Sequence, residues 1–109
     1  MTRRLHEIDE VNRAIEIDVE IGNAKYTVRT AEAKLLLCEL KFQEGSLKDA
    51  GINGVTNEVL LAIVIDRLQW FQLGINWRCR QNAIAITKLE EALHWLRDRA
   101  DEQEPPPKR

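Results

Sequence analysis

Between positions 70 and 82 the sequence places Trp70, Phe71, Trp77, Arg78, Arg80 and Asn82. Aromatic faces, guanidinium forks and a carboxamide are the groups that stack a nucleobase and clamp a phosphate. Arg97 and Arg99 add cations further along. The same residues also suit a plainer role, an aromatic plug at a helical turn with solvated arginines around it. Glu91-Ala-Leu-His94 has the Glu-x-x-His spacing of carboxylate-bridged di-metal bundles. Such a site also needs a Glu from each of two further helices, and the preceding helical segment offers only Glu58 and Asp66. Cys79 lies between Arg78 and Arg80, but no His is near it in sequence, so it reads as an ordinary thiol at a helix start. Neither His6 nor His94 has a nucleophile at motif spacing, and no phosphate loop or Gly-x-Ser-x-Gly is present. No catalytic residue, cofactor or metal is expected.

The elements that must position these groups come from a chain of 109 residues, a length that suits one domain. Apolar residues make up 44% and charged ones 31%, the balance of a globular chain. The formal net charge of −2 argues against a partner as long and anionic as DNA or RNA. The longest apolar run, Val59 to Ile65, is far short of the roughly 20 residues that span a bilayer. The opening Met-Thr-Arg-Arg-Leu-His-Glu lacks the apolar stretch of a secretory signal. With Cys38 and Cys79 alone there is no disulfide framework, so a cytoplasmic protein with reduced thiols and no membrane partner is expected.

Along the chain, residues 1–14 are polar and mixed, an arm or the start of a short helix. Ile15, Ile17, Val19 and Ile21 alternate with Glu16, Asp18 and Glu20, and Gly22-Asn23 follows as a two-residue turn. Pairing outward from that turn sets Ile21 against Ala24, Val19 against Tyr26 and Ile17 against Val28 on one face. Glu20 then meets Lys25 and Glu16 meets Arg29 on the other. This predicts a β-hairpin over 15–30. Thr30 reads as an N-cap, and Ala33, Leu36, Leu37 and Leu40 follow 3-4 spacing, which predicts a helix over 31–44. The glycine-bearing stretch 45–55 reads as an ordered loop. Helices are predicted over 57–73, where the apolar run goes all round, and over 78–102, with a stripe of Ala85, Ile86, Leu89, Ala92, Leu93 and Leu96. Their short connection makes them an antiparallel pair. The all-round run suggests a subunit interface. Residues 103–109 read as a disordered tail. The predicted fold is α+β: a single domain over 1–102, with an N-terminal antiparallel β-hairpin and then three helices, the last two a long helical hairpin that oligomerises.

The strings Asn53 to Gln72 and Cys79 to Arg99 resemble the small helical-hairpin sponges that phages make against the Thoeris and CBASS immune systems. The front, Gly22 to Gly45, resembles the anti-Thoeris branch, and the likeness covers about residues 17–100. The resemblance implies a non-enzymatic protein that binds a cyclic nucleotide signal and holds it away from the host effector. For the anti-Thoeris branch the signal is glycocyclic ADP-ribose; some members also bind cyclic di- or trinucleotides of CBASS at separate sites. It implies homodimers, or hexamers as trimers of dimers. It assigns the ADP-ribose site to Phe71 of the Asp-Arg-Leu-x-x-Phe-Gln string, Asn82 of Cys-Arg-x-Asn-Ala, and Arg99 after Leu-x-Trp-Leu. With Trp77, Arg80 and Arg97 nearby, these are the candidate ligand-binding residues. The chain departs from the family at Gly74-Ile-Asn-Trp-Arg-Cys-Arg80, about one residue longer than the Gly-Pro-Phe or Gly-Pro-Tyr form, and in its Pro-rich ending.

Asn82 and Arg99 lie 17 positions apart on one predicted helix, about 25 Å at 1.5 Å per residue. One small nucleotide cannot touch both within a protomer, so a shared pocket requires an antiparallel partner to supply its Arg99. Two other classes fit the residues: an oligomeric protein-interaction module with no nucleotide ligand, and a di-metal four-helix dimer.

Overall fold

The alternation over residues 15–30 folds as its register requires. A computed structural model describes residues 2–4, 14–20 and 22–103, and these form strands β1 (Thr2–Arg4), β2 (Ile15–Glu20), β3 (Lys25–Thr30) and β4 (Leu36–Lys41), then helices α1 (Leu47–Ala50), α2 (Asn57–Leu73) and α3 (Arg80–Gln103). The class is α+β, and the chain divides into two compact units, Met1–Thr56 and Asn57–Arg109.

The first unit is an antiparallel sheet of order β1-β2-β3-β4. Val19 lies opposite Tyr26, Ile17 opposite Val28 and Glu16 opposite Arg29, the register read from the sequence. Gly22 and Asn23 both sit at positive φ, 93° and 55°, as a tight strand reversal demands. The expected Ile21–Ala24 pair lies outside the described residues. Val19 is fully buried, and Tyr26 meets Phe42 edge-on with ring centroids 5.4 Å apart. The opposite face is laced by ions: Arg29 reaches diagonally to Asp18 at 3.2 Å, Lys25 to Glu39 at 3.8 Å, and Lys34 to Glu16, which is 8% exposed. Thr2–Arg4 pairs with β2, with Arg3 opposite Val19, so this part of the expected arm is a strand; residues 5–13 lie outside the described ones.

The helix expected over 31–44 is not there. Residues 31–33 form a turn, Lys34 takes a left-handed φ of 57°, and 36–41 is strand β4, paired with β3. Leu36, Leu37 and Leu40 fit 3-4 spacing, but Leu36, Cys38 and Leu40 equally fit alternation, and short apolar runs cannot be told apart by period alone. The deciding contribution is non-local: as a strand, residues 36–41 pair with the edge of β3, which a helix could not do. Thr30 accordingly closes the turn instead of capping a helix. Its N–H donates to the Leu35 carbonyl at 2.9 Å, and its Oγ1 accepts from the Leu35 N–H at 3.0 Å. A register shift after Val28 sets Leu36 opposite Arg29, so Leu35, Leu36 and Leu37 are more than half exposed.

Residues 45–55 form an ordered loop around α1, whose N-cap Ser46 accepts from the Asp49 N–H. The Asn53 carboxamide bonds both the N–H and the carbonyl of Glu44 at 2.8 Å, and the Gln43 carboxamide bonds Gly51 and Asn53. Val55 then adds to the outer edge of β4 through hydrogen bonds with Lys41 and Gln43, each 2.8 Å.

The second unit is the helical hairpin. Gln72 bonds Cys79 at one end and Arg99 pairs with Glu58 at the other, which makes α2 and α3 antiparallel. Ile65 and Leu93 are its buried centre. Val59, Ile63, Val64 and Trp70 on α2, with Ile84 and Trp95 on α3, remain at least two-fifths exposed in the single chain. Gln103, placed in the tail by the sequence reading, ends α3; residues 104–109 lie outside the described ones. Among the described residues no helix is long and apolar enough to cross a membrane.

Candidate functional site

Helix α2 stops where Gly74 donates its N–H back to the Phe71 carbonyl at 3.1 Å. The chain then crosses to α3 over residues 74–79. Cys79 caps α3: its Sγ accepts from the Asn82 N–H at 3.4 Å and its carbonyl from the Ala83 N–H at 3.3 Å. That accounts for the thiol as a capping group. Asn82, in the first turn, donates through Nδ2 to the Trp77 carbonyl at 3.2 Å. Its Oδ1 takes no hydrogen bond from the described residues.

The turn thereby gathers three candidate residues. The rings of Phe71 and Trp77 lie 6.1 Å apart, tilted by 37°, and Asn82 holds the loop that carries Trp77. Trp77 is 68% exposed, and Phe71 and Asn82 are half-buried. Arg67, one helical turn before Phe71, places its guanidinium 4.7 Å from the Phe71 ring centroid. Arg80 lies next to this cluster and lines an open groove of about 360 Å³ with Ala83, Ile84, Thr87 and Lys88. Together these groups offer an exposed indole, a carboxamide oxygen and nearby cations, the complement of a nucleobase joined to phosphate.

Arg97 and Arg99 do not join them. Both are exposed near the end of α3, and Arg99 Nη2 stands 3.9 Å from Glu58 Oε1 at the start of α2. One protomer therefore holds Phe71, Trp77 and Asn82 at one end of the hairpin and Arg99 at the other. His94 packs edge-on to Trp95 with ring centroids 6.0 Å apart. Among the described residues of the single chain no group of three or more His, Cys, Asp or Glu could hold a metal ion.

Sequence reasoning missed two residues here. Arg67 could have been found, because a cation four residues before an aromatic on a helix is within reach of its ring. Gln72 closes the Asp-Arg-Leu-x-x-Phe-Gln string, but its residue type gave it no role. A glutamine near a helix end reads as a solvated polar residue, yet its carboxamide engages the Cys79 backbone twice.

The Acb2/Tad1 hairpin-domain family matches residues 38–100, which takes in all of α2, α3 as far as residue 100, and every candidate residue from Phe71 to Arg99. Among curated proteins, Thoeris anti-defense 1 of Bacillus phage SBSphiJ7 is 51% identical over 84 residues. That alignment covers 76% of this chain and 57% of the relative, so the chain spans little more than half the length of the protein it matches.

Proposed function

Because this chain belongs to the Acb2/Tad1 hairpin-domain family, we propose that it is a phage immune-evasion protein that sequesters a cyclic ADP-ribose-type signal, glycocyclic ADP-ribose, without cleaving it. The observation that carries this reading is the family match over residues 38–100, in which the aromatic and carboxamide cluster of the hairpin turn lies. The name of the 51% identical relative supports the Thoeris target. In this reading Phe71 and Trp77 take the adenine face, and Asn82 Oδ1 accepts from the base or a ribose. Arg99 of the partner subunit pairs with phosphate.

If Asn82 and Arg99 line one pocket, length requires a partner. About 25 Å of helix separates Asn82 from Arg99, while the Arg99–Glu58 pair marks the opposite end of the hairpin. A two-fold antiparallel dimer brings the two ends together twice. The exposed apolar side chains of α2 and α3 support that association, since large apolar side chains left open on a single chain are what a subunit interface covers. Sedimentation at micromolar concentration is expected to show a dimer or a multiple of it. A monomer that still binds the signal would remove the composite pocket.

In this reading the protein holds the signal without catalysing any reaction on it. Heating the loaded protein is therefore expected to return the signal intact by mass, and recovery of a cleaved product would make the protein an enzyme. Calorimetry with glycocyclic ADP-ribose, its linkage isomers, and cyclic di- and trinucleotides tests the reading itself. Tight binding of the ADP-ribose signal supports it. Silence across the whole panel favours an oligomeric interaction module with no nucleotide ligand.

A further inference from the structure

We propose that Gln72 is a positioning residue for the ligand site, the group that fixes Trp77 and Asn82 in place; the proposal rests on the reading above that the hairpin turn is that site. The turn has little burial to hold it. Leu73, Ile75 and Trp77 are 81%, 90% and 68% exposed, so packing alone leaves these residues free to move. Besides the Asn82 bond to the Trp77 carbonyl, the turn is tied to the end of α2 by the Gln72 carboxamide. Gln72 Nε2 donates to the Cys79 carbonyl at 3.1 Å, and Gln72 Oε1 accepts from the Cys79 N–H at 3.0 Å. Both backbone groups of one residue are thus held by one side chain from the end of α2.

The hold is passed on. Cys79 receives the Asn82 N–H on its sulfur, and Asn82 bonds the Trp77 carbonyl. Gln72, Cys79, Asn82 and Trp77 form one chain of hydrogen bonds that closes the loop beside Phe71. The chemistry asks for glutamine. Glutamate at neutral pH supplies only acceptors, methionine has the reach but neither group, and asparagine is one methylene shorter. The buried centre of the hairpin at Ile65 and Leu93 lies apart from this clamp, so its loss should disturb the turn and spare the helices.

The test uses the full ¹⁵N-labelled chain with Gln72→Met and Gln72→Glu. In Gln72→Met the Trp77 indole and Asn82 carboxamide signals are expected to shift or broaden while the Trp70 and Trp95 indoles stay. The Cys79 amide should exchange with solvent at least about tenfold faster, the loss of roughly 1.4 kcal/mol of local protection. In Gln72→Glu the same signals move at neutral pH. They return toward wild type on acidification, which protonates the introduced carboxyl and restores a donor. Affinity for glycocyclic ADP-ribose should fall about tenfold or more in Gln72→Met with the melting temperature little changed, and by much less when Asn82→Ala is already present. Unmoved Trp77 and Asn82 signals would overturn the proposal without reference to any ligand, as would wild-type affinity in Gln72→Met. If the signals move but the wild-type chain binds no nucleotide, Gln72 still orders the turn and the nucleotide reading is what falls. If Gln72→Met does not fold, the acid rescue of Gln72→Glu decides.

Discussion

Replacing Phe71 by alanine is expected to weaken binding of the cyclic ADP-ribose signal by about 5- to 150-fold, because stacking on an aromatic face is worth roughly 1–3 kcal/mol per base. Arg99→Ala should cost a similar amount. It removes charge-assisted hydrogen bonds to phosphate, each worth about 1.5–3 kcal/mol. Neither change should unfold the chain. Phe71 is half-buried, with the Arg67 guanidinium 4.7 Å from its ring centroid and the tilted Trp77 ring 6.1 Å away. A side chain filling a sealed core would instead cost roughly 3–5 kcal/mol on truncation. Arg99 gives up an exposed ion pair with Glu58 at 3.9 Å, a contact of about 1 kcal/mol or less. Calorimetry and thermal melts on the same samples separate the two losses. A Phe71→Ala protein that melts far below wild type would place the ring in the core and not at a ligand.

Gly54→Ala should have the largest effect on folding. A Cβ at this position would stand 2.4 Å from the Phe42 carbonyl carbon, 2.5 Å from its oxygen and 2.6 Å from the Lys41 oxygen. All three are backbone atoms of a strand end, which cannot swing aside as a flexible side chain would. The loop must back away, and the Val55 hydrogen bonds with Lys41 and Gln43 go with it. Overpacking costs about 1–3 kcal/mol, and each lost backbone bond about 0.5–1.5 kcal/mol. A loss near 3 kcal/mol lowers the melting temperature of a domain this size by about 12–24 °C. Gly74→Ala is the control, since its nearest contacts, Trp77 Cδ1 at 3.5 Å and the Phe71 oxygen at 3.6 Å, are ordinary ones. Equal melting temperatures for the two variants would show that the loop yields at little cost.

The β2–β3 register was legible because two independent signals agreed. Alternating Ile and Val fixed which residues face the same way, and Gly22-Asn23 fixed the reversal. Strand β4 was not legible. Leu36, Leu37 and Leu40 satisfy the helical period while Leu36, Cys38 and Leu40 satisfy alternation, and the choice between them depends on pairing with β3, which no local window contains. Of the site, Phe71, Trp77 and Asn82 could be read together because a short turn keeps them close in space. The separation of Arg99 was legible from helical rise alone, and the Arg99–Glu58 pair agrees with it. Gln72 stood in the Asp-Arg-Leu-x-x-Phe-Gln string, but its role was not legible because it depends on where the loop backbone returns, and that path is set by the three-dimensional turn rather than by any spacing.

The claim on which the account turns is that Phe71 of one protomer and Arg99 of the partner subunit face the same ligand. Mixing Phe71→Ala protein with Arg99→Ala protein tests it. In a heterodimer both lesions fall in one pocket and the other is wild type, so two proteins that each bind poorly should together recover up to one tight site per heterodimer. Native mass spectrometry shows whether subunits have exchanged, and calorimetry on the exchanged mixture counts the tight sites. Recovery of tight binding is the predicted result; a fully exchanged mixture that binds no better than either parent would contradict it.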